Sequence, residues 1–265
     1  MSLQNLPQAY NPIQSQKFGR RVYKVKQGDQ TFWLKLQLNN ANQDYQNGFL
    51  NELDVYKKLN LVGHIDQNVL SNFRIFDPYL KFCMEEDVID QALWVEDVPA
   101  LFVQSPNELD LPDISTKLMQ SLDVLGHLHD LGFVHGDLKV EHFRHSILGS
   151  ALIDYEQCKH ISDVAKMSNT ATPRYMAPEL FHAEAKSFTT DLYALGVIWL
   201  EWLTQRRLSA KSYQDWAILH CQQLSVDIPE RFKALEYVLK SMLMKKVEQR
   251  CINIYQIKQQ LSQIA

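Results

Sequence analysis

The sequence predicts a bilobal α+β protein: a small β-rich part holding one helix, followed by a larger helical part. Three observations carry this. Residues 18–38 alternate apolar and polar side chains as a strand hairpin does. Residues 48–60 then switch to helical spacing. From Ile114 onward most apolar residues recur at helical intervals, so the composition shifts from β-rich to α-rich near Val98 and Pro99.

In the hairpin, Val22, Tyr23 and Val25 precede the turn signal Gln27-Gly28-Asp29-Gln30, and the run Phe32-Trp33-Leu34-Lys35-Leu36 follows it. Phe49, Leu50, Leu53, Tyr56 and Leu59 make the apolar stripe of the first helix. Strand-like runs come next at 73–76 and 92–98. In the second part Ile114, Leu118, Leu122, Leu125, Leu128 and Leu131 form a helical stripe that Gly132 stops. Short strands surround two acidic motifs, and further helices are expected at 190–204, 214–223, 230–243 and 253–264.

A chain of 265 residues suits one large domain or two lobes. Its 46% apolar and 22% charged content is that of a soluble globular protein. With a net charge of -4 and a pI near 6.1 it has no broad basic field, so nucleic acid is not an expected partner. Cys83, Cys158, Cys221 and Cys251 lie far apart and form no CxxC, which suggests neither a disulfide framework nor a zinc site. Reduced thiols fit a cytoplasmic setting. Met1 to Gln16 lacks the apolar core of a secretory segment. The most apolar window, Tyr193 to Leu203, is interrupted by Glu201 and too short to span a bilayer, so no transmembrane segment is expected.

The chemistry concentrates in Val134-His135-Gly136-Asp137-Leu138-Lys139-Val140-Glu141-His142 and, shortly after, Leu152-Ile153-Asp154-Tyr155-Glu156. One aspartate lies on a loop after a helix, with a lysine two residues on. The other ends a short apolar strand. This suits phosphoryl transfer: one carboxylate takes a hydroxyl proton, one holds a metal, and the lysine steadies the migrating group.

The order and spacing of these strings resemble the protein-kinase-like superfamily, Ser/Thr type, over most of the chain. Val134–Lys139 resembles the catalytic loop, and Ile153–Glu156 the metal-binding DFG element. Thr172-Pro173-Arg174-Tyr175-Met176-Ala177-Pro178-Glu179 resembles the end of the activation segment. Asp191–Gly196 resembles the start of the central helix, and Arg250 lies where the family pairs an arginine with Glu179. The resemblance implies a single domain over 1–265, with a smaller lobe of about 13–98 and a larger one of about 99–265.

It also implies roles. Asp137 is the expected base, Lys139 the phosphate stabiliser, and Thr172 the threonine that bonds to both. Asp154 is the expected ligand of Mg²⁺ or Mn²⁺. His142 stands where an asparagine usually holds a second metal; imidazole suits Mn²⁺ better than Mg²⁺, and a structural histidine is the alternative. Lys35 resembles the lysine that binds the ATP phosphates, with Glu52 as its ion-pair partner. Glu96-Asp97-Val98 resembles the hinge whose backbone, at Glu96 and Val98, meets adenine.

Departures stand beside these. Of the glycine-rich loop only Gly19 remains. Lys17, Arg20 and Arg21 either supply charge in its place or, more plainly, are exposed strand residues. Trp33 replaces the alanine that floors the adenine pocket, Gly136 an arginine that answers phosphorylation, and Glu156 the glycine of the DFG element. Three readings remain: a protein Ser/Thr kinase, a kinase for a small-molecule or glycolipid hydroxyl, and a pseudokinase acting as a binding module. A metal-dependent hydrolase built on His135, Asp137 and His142 is more distant, because His127 and His129 are two apart on a helix and do not share a face. Ser168, Thr170 and Thr172 are phosphorylation sites by location only. Substrate and oligomeric state stay open.

Overall fold

The computed structural model describes residues 18–62, 70–78, 87–146, 149–166, 171–250 and 253–264. Lys17, Ser168, Thr170, Cys83, Cys251 and the segment Met1 to Gln16 lie outside them. The chain falls into two compact units. One comprises the described residues up to Pro99 together with Asp154–Glu156; the other runs from Ala100 to Ile153 and from Gln157 onward.

In the first unit the alternating pattern forms the expected hairpin. Strand β1 (Arg20–Gln27) pairs antiparallel with β2 (Gln30–Gln37), Gln27 opposite Gln30. The next segment is helix α1 (Gln43–Val62). Strands β3 (Phe73–Phe76) and β4 (Ala92–Glu96) complete a sheet of order β1-β2-β4-β3. The run expected at 92–98 ends as a strand at Glu96.

The period-two pattern sorts the side chains by face. Val25, Phe32, Leu34, Leu36, Ala92 and Trp94 share one buried face. Val22, Lys35 and Leu93 align across β1, β2 and β4 on the other, as do Lys24, Trp33 and Val95. Helix α1 covers that second face with Phe49, Leu53, Val55, Tyr56 and Leu59, all buried. Leu50 does not join them and is 39% exposed. One residue on from Phe49 it is rotated about 100° off the buried stripe, and Val55 fills that face instead.

The second unit opens with helix α2 (Leu111–Asp130). The Asp110 carboxylate accepts from the Asp113 amide at 2.8 Å, an N-cap that satisfies one end-of-helix donor. Ile114, Leu118, Leu122, Leu125 and Leu128 are buried as the stripe predicts, while Leu131 is the half-buried cap residue. Beyond it β5 (Phe133–Val134) pairs with β8 (Lys159–His160), and β6 (Phe143–Ser146) with β7 (Gly149–Leu152). The short α3 (Pro178–Phe181) leads to α4 (Phe188–Thr204), a helix buried nearly all round. Such a helix is either a core element or a membrane span. Among the described residues no helix is long and apolar enough to cross a membrane.

The remaining helices are α5 (Tyr213–Ile218), α6 (Glu236–Met242) and α7 (Ile254–Ser262). Two expected helices are composite. The one at 214–223 changes to a π turn at Leu219–Gln223, and the one at 230–243 begins as a 3-10 turn at Glu230–Leu235. Over five or six residues the periods of these windings are too close for apolar spacing to separate them.

Candidate active site

In the first unit β2 and α1 bring a lysine and a glutamate together. Lys35 Nζ lies 2.9 Å from Glu52 Oε1, and 3.8 Å from Asp154 Oδ1. Glu52 is fully buried. Burial works against the lysine charge, but Glu52, Asp154 and Glu156 outweigh it and raise Lys35 above the usual amine range.

Arg20 corrects the plainer expectation for β1. It is 7% exposed, not a surface strand residue. Its Nη2 lies 2.8 Å from Glu156 Oε1, its Nη1 3.8 Å from Glu52 Oε2, and its guanidinium covers the Phe49 ring at 4.6 Å. Strand alternation puts Arg20 on the face that α1 covers, which the string Arg20-Arg21 alone does not reveal. Burial pushes Glu156 up to about 7; Arg20 opposes this, and the Asp154 and Glu52 carboxylates add to it. Glu52, Asp154 and Glu156 are also the one group of three potential ligand side chains, among the described residues, whose oxygens gather within 4.8 Å. His135, Asp137 and His142 do not gather in this way.

Gly19 adopts φ +68, and a Cβ there would come within 2.5 Å of Ala41 Cβ, so only glycine fits that turn. Trp33 shares a sheet face with Lys35. Its indole donates to Asp97 Oδ1 at 2.8 Å, while Lys24 pairs with Asp97 Oδ2 at 2.7 Å and lies 5.1 Å from the indole. Glu96 ends β4, where its amide donates to Asn72 and its carboxylate accepts from Gln30. Val98 follows, half-buried.

In the second unit Asp137 is held on both oxygens. The Thr172 amide donates to Oδ1 at 2.7 Å, and Lys139 Nζ lies 3.0 Å from Oδ2. The threonine makes this contact through its backbone amide. The loop itself is fixed by Asp191, 1% exposed at the start of α4. Asp191 accepts from the His135 amide at 2.8 Å and the Gly136 amide at 2.9 Å, with His129 Nε2 at 3.0 Å. Burial alone would raise this carboxyl, but His129 and the loop donors hold it below the usual range.

His142 is 4% exposed and stacks on His135 with ring centroids 5.4 Å apart. Arg250 closes the far end of the activation segment on Glu179, at 2.6 and 2.8 Å.

Sequence reasoning missed three residues here. Asp191 was noted only as part of a helix string, and its fixed offset from Gly136 was the available signal. Asn51, which donates to the carbonyls of Tyr155 and Glu156, left none. Lys186 is 1% exposed, donates to Gln157 Oε1 at 3.4 Å, and feels the charges of Asp137 and Asp191.

Comparison with known proteins gives the family. Residues 17–261 match the protein kinase domain. Myosin light chain kinase A of Dictyostelium discoideum is 26% identical over 196 residues, covering 69% of this chain and 63% of that protein. Serine/threonine-protein kinase shk1/pak1 of Schizosaccharomyces pombe is 27% identical over 184 residues, 68% of this chain and 26% of its own length. Serine/threonine-protein kinase ste20 of Emericella nidulans is 32% identical over 98 residues, 36% of this chain and 12% of that protein. The chain thus aligns with less than two thirds of each relative. A match over nearly the whole chain settles the assignment: this chain belongs to the protein kinase domain family.

Proposed function

We propose that the chain is a cytoplasmic ATP-dependent phosphotransferase that phosphorylates serine or threonine hydroxyls of proteins. The observation that carries this reading is the two-sided hold on Asp137, by the Thr172 amide and by Lys139. A carboxylate fixed in this way presents its lone pairs in one orientation, as a positioned base must. The acceptor hydroxyl oxygen forms a bond to the γ-phosphorus as the bond to the ADP oxygen breaks, and Asp137 takes the hydroxyl proton. Lys139 offsets charge on the transferring group. Lys35, held by Glu52, binds the nucleotide phosphates.

The donor set fits a hard divalent cation. Asp154, two residues beyond the end of β7 at Leu152, offers carboxylate oxygen and is not engaged as closely by Lys35 as Glu52 is. His142 is the proposed ligand of a second ion, a nitrogen donor that favours Mn²⁺ over Mg²⁺. A cation held by these residues would offset charge on the phosphate oxygens of the nucleotide. The serine/threonine-protein kinases shk1/pak1 and ste20 among the relatives support serine and threonine as acceptors, and the Thr172–Glu179 segment supports a protein substrate over a small molecule or glycolipid.

Trp33 favours a second reading. An indole on the Lys35 face, tied to Asp97 and Lys24, takes up room beside the phosphate-binding lysine. A chain that binds partners without transferring phosphate is that alternative.

The deciding experiment incubates the protein with labelled ATP, Mg²⁺ or Mn²⁺, and protein, sugar and lipid acceptors, beside Asp137→Ala. Transfer to protein that Asp137→Ala abolishes is the expected result. Transfer unaffected by that substitution refutes Asp137 as base. Transfer to sugar or lipid alone selects a small-molecule kinase. No transfer, with no thermal shift at millimolar nucleotide, selects the binding module.

A further inference from the structure

Three consecutive residues of the first unit, Asp154, Tyr155 and Glu156, are fastened to helix α1 by contacts that the proposed chemistry does not require. Asn51 Nδ2 donates to the Tyr155 carbonyl at 3.2 Å and to the Glu156 carbonyl at 3.1 Å. The Tyr155 ring, fully buried, meets Tyr56 edge-on with centroids 5.1 Å apart. Glu156 reaches Arg20 at 2.8 Å, and Arg20 in turn faces Glu52. Gly48 leaves the room: a Cβ there would come within 3.3 Å of Glu156 Oε2.

Gly48, Glu52 and Tyr56 are four apart and share one face of the helix, so the ridge is built to receive the tripeptide. Apolar packing would hold a loop at least as well, because an ion pair drawn only partly out of water, as that of buried Arg20 with half-buried Glu156 is, is at best weakly stabilising against apolar residues of the same volume. What such a pair provides is one arrangement in place of several. Asp154 needs that. It sits at φ +68, a left-handed conformation that is strained for a non-glycine residue and persists where its surroundings over-determine it.

We propose that Asn51, Arg20 and Glu156 are positioning residues, a clamp that fixes Asp154 against α1 in its metal-binding conformation. The proposal rests on Asp154 as the metal ligand. It gives Glu156 a role other than ligation, and it makes Arg20 part of the clamp instead of a phosphate contact.

The test compares wild type with Asn51→Ser, Glu156→Gln, Arg20→Met and the swap Arg20→Glu with Glu156→Arg, all checked for folding by circular dichroism. Amide hydrogen exchange at Asp154–Glu156 in the nucleotide-free protein is the first readout. Calorimetric affinity for Mn²⁺ with a non-hydrolysable ATP analogue is the second. Each single variant is expected to speed exchange and weaken Mn²⁺ binding by about tenfold, the equivalent of roughly one net hydrogen bond, with the swap, which sets a carboxylate against Glu52, restoring only part of both. Unchanged exchange and affinity in all three single variants overturn the clamp. Asp154→Asn separates the two ideas. If it leaves Mn²⁺ affinity intact, the ligand assignment fails and the exchange data alone judge the clamp. If a single variant does not fold, the swap and the remaining variants decide.

Discussion

Arg250 grips Glu179 through two nitrogens, at 2.6 and 2.8 Å, with the arginine side chain fully buried. A third contact runs from Arg250 Nη1 to the Thr189 carbonyl at 3.1 Å, and Nε donates to the Met244 carbonyl. One guanidinium thus ties the segment after Met244 to α3 and to the start of α4. The planar fork explains why arginine is needed: a lysine offers a point charge and cannot serve both carboxylate oxygens and two carbonyls.

Removing one partner strands the other in the interior. Arg250→Leu is therefore expected to destabilise the protein by about 3–5 kcal/mol, and Arg250→Lys by a substantial part of that. Urea unfolding followed by tryptophan fluorescence measures it. A loss under about 1 kcal/mol would mean that Glu179 finds water or another donor.

Lys186 makes a pH prediction. Burial lowers its amine to about 8, with Asp137, Asp191 and Cys158 only partly opposing. Below pH 8 the folded protein carries the cost of that buried charge. Between about 8 and 10.5 the folded amine has released its proton while the unfolded one still holds it, so stability rises with pH. Relative to Lys186→Met, which cannot titrate, the wild type should gain about 3 kcal/mol across that window. A stability difference that stays flat from pH 7 to 10.5 contradicts the buried-charge argument.

Much of the fold was legible because periodicity reports burial. The hairpin, the α2 stripe and the phase of α1 all follow from side chains that must face a core. The Lys35–Glu52 pair was legible through the family resemblance, and the α1 stripe agrees with it, since Glu52 falls beside Phe49, Leu53 and Tyr56. Arg20 was not. Two adjacent arginines look solvated, and only strand alternation plus the partner carboxylates show that one turns inward. The Thr172 amide and the Asn51 contacts involve backbone groups, which every residue carries, so no residue type marks them. Composite helices such as Glu230–Met242 hide for another reason: winding is set by local hydrogen bonding and not by apolar spacing.

Lys35 carries a prediction about nucleotide affinity. Its amine lies 2.9 Å from Glu52 and 3.8 Å from Asp154. Lys35→Met should weaken ATP binding by about 2 kcal/mol, roughly thirtyfold in Kd. The fold should survive, because Arg20 still faces Glu52. Calorimetry with a non-hydrolysable analogue checks the affinity, and a thermal melt checks the fold. Unchanged affinity in a folded variant removes Lys35 from the nucleotide site.

His142 tests the metal assignment. Its ring is 4% exposed and lies flat against His135, so a substitution must keep the volume small and the polarity similar. Asparagine does both, and it exchanges an imidazole nitrogen for an amide oxygen. Nitrogen donors favour Mn²⁺, while oxygen donors suit Mg²⁺. If His142 ligates the second ion, His142→Asn moves the ratio of Mn²⁺- to Mg²⁺-supported transfer toward Mg²⁺, by about tenfold for a difference of about 1.4 kcal/mol. Calorimetric metal affinities in the presence of the nucleotide analogue should shift the same way. Loss of stacking against His135 would lower thermal stability but would leave that ratio where it was, because packing does not distinguish one divalent ion from another. An unchanged ratio with a lowered melting temperature therefore assigns the ring to the core and leaves Asp154 as the ligand to test.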